Sequence, residues 1–295
     1  MSKIIDDLKM QYKIGGVANK LIFWNVGLFI ISYLLPALLH LFSIDFDFFN
    51  WVSLDSNPNH LLWKPWSLVS YGFFHSGFFH IFFNMMVLNF SSRLFLTYFT
   101  QKQLLSLYFT GILFSGTIYM FGYYLFSSLA NLNVSLVGAS GAIMTVFFAV
   151  AAYAPLMEIR LMFIGNIKIW YIAFAYLIID LIQLPLENTG GHIAHLAGAF
   201  FGYLFVKQIK NGSDLTNIMT VTLDWFANLF SSNKTNSFKK IHRNPKPVII
   251  EKPVSKIITK DKKQQQIDEI LDKISKSGYD SLSKDEKEFL FKAGS

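Results

Sequence analysis

The sequence predicts an all-α polytopic membrane protein, in which a bundle of six transmembrane helices precedes a small helical cytoplasmic segment at the C-terminus. Two observations lead to this fold class. Of the 295 residues, 53% are hydrophobic and only 15% are charged, whereas soluble domains carry about 25% charged residues. Between Trp66 and Val206 the charged residues are few: Arg93, Lys102, Glu158, Arg160, Lys168, Asp180 and Glu187. So long a stretch with so few charges is typical of segments that lie in lipid.

The remaining composition narrows the class of protein. Much of the net charge of +7 comes from the basic tail after Lys207, where it would face an anionic cytoplasmic leaflet, so it does not indicate binding to nucleic acid. The chain has no cysteine. This excludes disulfides, thiol catalysis and cysteine-bound metals. We expect no cofactor and no resident metal.

The apolar runs define six spans in a domain that covers residues 21–208. A cytoplasmic segment, 1–20, precedes the first run at 21–42, which is too long for a signal peptide and has no cleavage site after it. The other five spans are predicted at 67–91, 103–127, 136–156, 169–186 and 191–208. Each is near the ~20 residues that a helix needs to cross a hydrocarbon layer.

The basic residues of the short loops predict the orientation. They lie before the first span, between the second and third, between the fourth and fifth, and after the sixth. The other loops hold only Lys64. Because cytoplasmic loops carry an excess of Lys and Arg, both termini are predicted to be cytoplasmic.

Three segments follow the predicted bundle. Residues 209–232 have the apolar spacing of an interfacial amphipathic helix. Residues 233–264 are rich in Lys, Arg and Pro and read as a disordered basic linker, for which anionic lipid is a candidate partner. Residues 265–295 form a small helical module, with a break at Gly278 and a capping box of Ser283 and Glu286. The partner of this module does not follow from the sequence.

Polar clusters occur in three of the predicted spans, at matching depth. Given the orientation above, each lies in the outer half of its helix. Polar side chains are costly in lipid and usually mark a functional site. The clusters are His75, His80 and Asn84 in the second span, Gly138, Ser140 and Gly141 in the fourth, and His192 and His195 in the sixth.

Each cluster also has a structural reading. A lone serine in an apolar helix is ordinarily a packing residue, but the glycines beside Ser140 leave room around its hydroxyl. Gly198 and Gly202 let the sixth span pack closely on a partner. If that partner is the fourth span, His195 lies within reach of Ser140 as a general base. His80 and Asn84 are either helix–helix contacts or the donors of an oxyanion hole.

No carboxylate is expected to complete a catalytic triad. Glu158 is predicted on the cytoplasmic side and Glu187 in an outer loop, so the site is predicted to be a Ser140–His195 dyad. Asp180, in the fifth span, is either a hydrogen-bonded packing residue or a group with a role that the sequence does not define.

These residues resemble a known family. Gly138-Ala139-Ser140-Gly141, Ala194-His195-Leu196-Ala197-Gly198 and His75…His80-x-x-x-Asn84 are similar, in this order, to the motifs of rhomboid intramembrane serine proteases, particularly bacterial members of Bacteroidetes type. The resemblance implies a protein of the bacterial inner membrane. It implies cleavage of transmembrane protein substrates near the outer membrane face, through an acyl-enzyme.

The resemblance also implies roles for the site residues. Ser140 matches the nucleophile and His195 the general base, while His80, Asn84 and the backbone near Gly138 and Ser140 match the oxyanion site. The fifth span is implied as a lateral entrance. Met144 stands where many members have a tyrosine that packs on the histidine, and a thioether can fill that space. His75 and His192 are predicted to line the water path or to support the site.

Two other functions remain open at this stage. A proteolytically inactive rhomboid-like protein that binds membrane clients would have the same fold, although the retained Ser140 and His195 argue against it. A metal- or haem-binding protein would use the histidines at 75, 80, 192 and 195. The expected absence of a carboxylate at their depth weakens the metal hypothesis.

Overall fold

The structure is a computed structural model that describes residues 2–126, 129, 132–161, 165–186, 188–230 and 257–294. It divides into two compact units, Met1–Asn233 and Lys234–Ser295. The first unit is predominantly helical. Its elements are α1 (Ser2–Ile14), α2 (Gly16–His40), α3 (Phe48–Val52), β1 (Leu54–Asp55), α4 (Ser67–Ser70), α5 (Phe78–Phe95), α6 (Gln101–Leu125), β2 (Ser135–Leu136), α7 (Ser140–Tyr153), β3 (Glu158–Leu161), β4 (Gly165–Lys168), α8 (Ile169–Gln183), α9 (Thr189–Lys210) and α10 (Asn217–Phe230), with short 3₁₀ turns at Pro58–Leu62 and Tyr71–Phe73.

Helix α7 is the centre of the first unit. Every residue of α7 from Gly141 to Ala151 is buried, and the helices that pack around it are α5, α6, α8 and α9. A helix that is apolar all round is typical of such a central position. Ser140, the first residue of α7, therefore lies where the surrounding helices converge.

Membrane-crossing length is clearest in two helices. Of the described helices, α2 and α6 are both long enough and apolar enough to cross a membrane, while α7 and α8 are apolar but shorter. The predominantly helical character agrees with the prediction, although the described residues also form four short β-strands. Length and composition of the described helices do not by themselves yield the predicted count of six.

The second predicted span, 67–91, is interrupted in the structure. After the short helix α4 the chain forms a 3₁₀ turn at Tyr71–Phe73 and then runs extended, and α5 begins only at Phe78. The Tyr71 hydroxyl donates a 2.7 Å hydrogen bond to the carbonyl of Ile112 on α6. Gly72 lies against the side chain of the same Ile112. The segment is held on α6 by these contacts, so the helix does not continue through it.

The fourth predicted span, 136–156, is shorter at both ends. Leu136 pairs with Leu54 in the antiparallel ladder of β1 and β2, so the helix starts at Ser140. At the other end Pro155 follows Ala154, which has left the helical conformation. A proline disfavours helical backbone at the residue before it.

The segments after α9 agree in part with the sequence. Helix α10 falls within the predicted 209–232 segment and exposes Ile218, Val221, Trp225 and Leu229. Residues 233–256 of the predicted linker lie outside the described residues, as does Glu187. The rest of that linker is not irregular, because a helix begins at Ile257.

The second unit contains α11 (Ile257–Ser277), a 3₁₀ turn at Tyr279–Ser281 and α12 (Lys284–Gly294). Gly278, at φ +77°, ends α11 as predicted. The predicted capping box is confirmed, since the backbone N–H of Ser283 donates to Glu286 at 2.7 Å and the N–H of Glu286 donates to the Ser283 hydroxyl at 3.3 Å. Lys273 of α11 forms an ion pair with Glu286 at 2.8 Å.

Candidate active site

Ser140 lies at the first position of α7. The residue before it, Ala139, is the N-cap, and Gly138 has φ +137°, a conformation that residues with a side chain rarely adopt. The N–H of Gly138 donates to the carbonyl of Tyr71 at 2.9 Å, which fixes this turn on the segment before α5. The first N–H groups of a helix have no carbonyl partner within it and carry partial positive charge. The Ser140 hydroxyl is thus presented beside backbone donors.

Helices α7 and α9 are in backbone contact. A Cβ atom on Gly198 would collide with the carbonyl oxygen of Gly141, and one on Gly202 would collide with the carbonyl oxygen of Thr145. The sequence predicted that Gly198 and Gly202 pack closely on a partner and left that partner open, and the structure identifies the partner as α7, the helix of Ser140. His195, one helical turn before Gly198, is brought to the end of α7 where Ser140 lies.

His80, in the first turn of α5, faces the turn before Ser140. A Cβ atom on Gly138 would lie 2.9 Å from Nε2 of His80 and 3.6 Å from Oγ of Ser140. On the other side of the ring, Nδ1 of His80 is 3.2 Å from the hydroxyl of Ser76. Glycine at 138 therefore leaves room for the imidazole of His80 against the turn before Ser140.

A cavity of about 370 Å³ unites the predicted residues. Ser140 and Met144 line it from α7, His80 and Asn84 from α5, and His195 from α9. Much of the remaining wall is apolar and includes Phe79, Phe83, Ile143 and Tyr176. An apolar cavity with a few convergent polar groups is the usual form of a binding site.

The other two predicted histidines, His75 and His192, are not among the residues that line this cavity. His75 is fully buried, and its ring centroid is 5.0 Å from that of His80. Within the described part of the chain neither nitrogen of His75 has a hydrogen-bond partner. His192 is also buried, and its ring centroid is 5.8 Å from that of His195. That these two histidines line a water path remains a prediction.

Asp180 corrects the expectation that no carboxylate reaches the site. Its Oδ1 atom lies 3.0 Å from Nδ1 of His195 and 2.7 Å from Nδ1 of His192. The contact was not predicted because the direction of the Asp180 side chain depends on the rotation of α8 about its axis. The number of residues in the turn between α8 and α9 does not determine that rotation. The signal was present, since a carboxylate inside an apolar helix is itself a sign of a functional group.

The same three groups form a donor set for a cation. Asp180, His192 and His195 each offer one ligand atom, and these atoms lie within 4.8 Å of one another. The sequence predicted that no carboxylate lies at the depth of the histidines, which weakened the metal hypothesis. Asp180 shows that this prediction is wrong for His192 and His195.

The structure also adds residues that the sequence did not single out. Ser76 contacts His80 through its hydroxyl, and Tyr176 of α8 lines the cavity. Asn188, with the left-handed φ of +48°, is the N-cap of α9 and lines the cavity as well. Ser76 lies two residues before α5, and the only signal in the sequence was its closeness to His80.

Comparison with known proteins identifies two regions. The family model described as the Rhomboid domain matches residues 62–210, half of the chain, and these include every residue of the cavity described above. Residues 258–292 match a family of unknown function (DUF6576), which coincides with α11 and α12. No curated protein matches the chain.

Proposed function

The chain belongs to the rhomboid family, and from that premise we propose that it is an active intramembrane serine endopeptidase with Ser140 as the nucleophile and His195 as the general base. Members of this family are generally serine proteases that act on transmembrane substrates, and the chain is an integral membrane protein. The observation that carries the proposal is that Ser140, His195, His80 and Asn84, from three helices, line one cavity.

In the proposed reaction, Nε2 of His195 accepts the proton of the Ser140 hydroxyl as Oγ attacks the scissile carbonyl carbon. The tetrahedral oxyanion is held by His80, Asn84 and the N–H of Ser140. When it collapses, the imidazolium returns its proton to the leaving amine and an acyl-enzyme remains. Water then attacks the ester by the same route, which releases the acid and restores Ser140.

Water reaches the proposed site from the outer side of the membrane. We take α2, α5, α6, α7, α8 and α9 as the six spanning helices, with both termini in the cytoplasm of a bacterial cell and the protein in its inner membrane. This orientation puts Ser140, at the start of α7, in the outer half of the bundle. Cleavage would therefore occur near the outer end of a substrate helix.

The orientation is tested by single cysteines, because the chain has none of its own. Asn59 and Asn211 are exposed on opposite sides in this topology. A membrane-impermeant maleimide should label Asn59→Cys on intact spheroplasts and Asn211→Cys only after lysis. The reverse pattern would contradict the orientation without affecting the chemistry.

The catalytic assignment is tested by labelling with a fluorophosphonate and by cleavage of transmembrane substrates in cells. We expect wild type to be labelled and to shed membrane proteins, and Ser140→Ala to do neither. The matched control is Ser32→Ala, which removes a hydroxyl that bonds the carbonyl of Phe29 on α2. Equal labelling of wild type and Ser140→Ala would exclude Ser140 as the nucleophile. Wild type that is neither labelled nor sheds membrane proteins would favour the inactive, client-binding alternative.

A metal-binding function is the second candidate, and the donor set of Asp180, His192 and His195 is the observation that favours it. Two imidazoles and a carboxylate suit several divalent transition metals. If this function is the true one, purified protein should hold a stoichiometric metal that is lost in His192→Ala. The haem hypothesis has no comparable support.

The C-terminal regions are assigned only broadly. The exposed apolar side chains of α10 suit a helix that lies in the membrane interface. We propose that the basic residues after it bind anionic lipid on the cytoplasmic side. The second unit is a candidate docking module for a partner that its residues do not identify.

A further inference from the structure

One carboxylate oxygen joins both histidines of α9 to α8. Oδ1 of Asp180 is 2.7 Å from Nδ1 of His192 and 3.0 Å from Nδ1 of His195. An ionised carboxylate only accepts hydrogen bonds, so in each ring the nitrogen that faces it carries the proton. A neutral His195 in this contact has its lone pair on Nε2. That is the tautomer that a general base needs if Nε2 faces the nucleophile.

Asp180 lies on the inward face of α8. It is 5% exposed and shares this face with the buried Ile169 and Ala173, whereas Phe174, Ile178, Ile179, Leu181 and Ile182 are exposed. In a spanning helix the exposed face would meet lipid, where a carboxylate has no hydrogen-bond partner. On the inward face the two imidazoles supply such partners for Asp180.

The contact between Asp180 and His195 lies next to the site of the proposed reaction. His195 lines the cavity beside Ser140, and its ring is held from behind by Asp180. During attack by Ser140 the imidazole gains a proton and a positive charge. A carboxylate 3.0 Å from the opposite nitrogen stabilises that charge as it forms.

We propose that Asp180 is a positioning residue that holds His195 with its proton on Nδ1 and its Nε2 free for Ser140, so that the site works as a Ser140–His195–Asp180 array and not as a dyad. This inference rests on the proposed function. It also makes the base depend on α8, because displacement of this helix from α9 would remove the carboxylate from the imidazole.

The test compares Asp180→Ala and Asp180→Asn with wild type, in steady-state cleavage of a transmembrane substrate by the full-length protein in detergent. We expect kcat to fall by on the order of 10²- to 10⁴-fold in Asp180→Ala, with KM changed by less than about threefold. Asp180→Asn keeps the shape of the side chain but not its charge, and kcat should fall at least about tenfold. Asp224→Ala, which removes an exposed carboxylate paired with Lys102 on α6, is the matched control and should retain wild-type kcat.

A spectroscopic readout separates positioning from a structural role. In protein with ¹⁵N-labelled histidine, the signals of His195, assigned by comparison with His195→Gln, should report the Nδ1–H tautomer in wild type. We expect this tautomer to be lost in Asp180→Ala. Loss of kcat with unchanged His195 signals would overturn the proposal, and so would wild-type kcat in either Asp180 variant.

The controls keep this inference separate from the proposed function. If Ser140→Ala retains activity, the proposed function fails whatever Asp180 does. If Ser140→Ala is inactive and Asp180→Ala has wild-type kcat, the proposed function stands and the role of Asp180 is refuted. A stoichiometric metal in purified wild type that is absent from Asp180→Ala would show that the cluster is a metal site, which also refutes the positioning role.

Discussion

Gly198 lies directly on the backbone of Gly141, so that a Cβ atom at residue 198 would collide with the carbonyl oxygen of the residue that follows Ser140. Helices α7 and α9 are thus in main-chain contact at this point. This contact sets the separation between the helix of Ser140, the proposed nucleophile, and the helix of His195, the proposed base. The relative position of these two residues therefore depends on it.

We predict that Gly198→Ala lowers both stability and activity. The added methyl group meets backbone, which cannot yield as a flexible side chain does, and overpacking of this kind costs about 1–3 kcal/mol. The midpoint of thermal unfolding in detergent should fall, and the rate of fluorophosphonate labelling should fall with it.

The control for this variant is Gly27→Ala, on α2. Among the described residues, no atom lies within 4 Å of the position that its Cβ would take. Since alanine is favoured over glycine inside a helix by about 0.5–1 kcal/mol, Gly27→Ala should unfold at the same temperature as wild type or higher. Wild-type behaviour of Gly198→Ala would mean that α7 and α9 do not touch at this point.

Gly138→Ala is predicted to reduce activity through His80. Residue 138 has φ +137°, and its Cβ would lie 2.9 Å from the imidazole of His80, so the ring must move from the proposed oxyanion site. Loss of one oxyanion donor costs on the order of 10²-fold in kcat. The measurement is kcat for cleavage of a transmembrane substrate.

Gly165→Ala separates this effect from backbone strain alone. Gly165, the first residue of β4, also has positive φ, +86°, but no atom of the described residues lies within 4 Å of its Cβ position. This variant should lose some stability and keep wild-type kcat. If Gly138→Ala and Gly165→Ala lose kcat equally, the contact between residue 138 and His80 is not the cause of the loss.

The contrast between Gly198 and Asp180 explains how much the sequence could predict. The packing of Gly198 follows from a pattern of small residues within one helix, so it was accessible from spacing. The contact of Asp180 with His195 depends on the rotation of α8 and on the path of the turn before α9, which no local pattern encodes. The sequence shows that Asp180 lies within an apolar helix, but it does not show that this carboxylate contacts His195.

Boundaries show the same limit. The apolar run at 136–156 predicted a helix over its whole length. Leu136 instead pairs in a β-ladder with Leu54, a residue that is distant in sequence. The early end of the helix at α4 likewise depends on the bond from Tyr71 to the carbonyl of Ile112. Composition identified the helices, whereas contacts between distant segments decided where they begin.

Asn84→Ala is predicted to lower turnover without unfolding the protein. Asn84 lines the cavity from α5, one turn after His80, and its side-chain amide is a candidate oxyanion donor. We expect kcat to fall by on the order of 10²-fold with little change in KM, as for other oxyanion donors. The control is Asn89→Ala on the same helix. Asn89 does not line the cavity, and its side-chain oxygen accepts a 3.1 Å hydrogen bond from Arg93. An unchanged kcat in Asn84→Ala would remove this residue from the site.

The loop before α4 is predicted to make stability depend on pH through Asp55. Its carboxylate is bound by Lys64 at 3.0 Å, by Nδ1 of His60 at 2.9 Å and by the hydroxyl of Ser135 at 3.0 Å. Burial alone would raise the pKa of Asp55, but these hydrogen bonds outweigh it and hold the pKa below its ordinary value of 3.8. Asp55 pairs with Ser135 in the ladder of β1 and β2, so its carboxylate stabilises the strand that precedes Ser140.

Because the pKa of Asp55 is lower in the folded state than in the unfolded state, its contribution is fully present above about pH 4 and is lost as the pH falls through the lowered pKa. Asp55→Asn should therefore be less stable than wild type at neutral pH, by about 1–3 kcal/mol for hydrogen bonds to a charged group. The two proteins should converge at lower pH. Thermal unfolding in detergent from about pH 7 to pH 2 measures this convergence. Asp45→Asn is the control. The Asp45 side chain is 93% exposed, so loss of its charge should leave the dependence of stability on pH unchanged. A constant difference in stability between wild type and Asp55→Asn at every pH would show that the charge of Asp55 does not stabilise the loop.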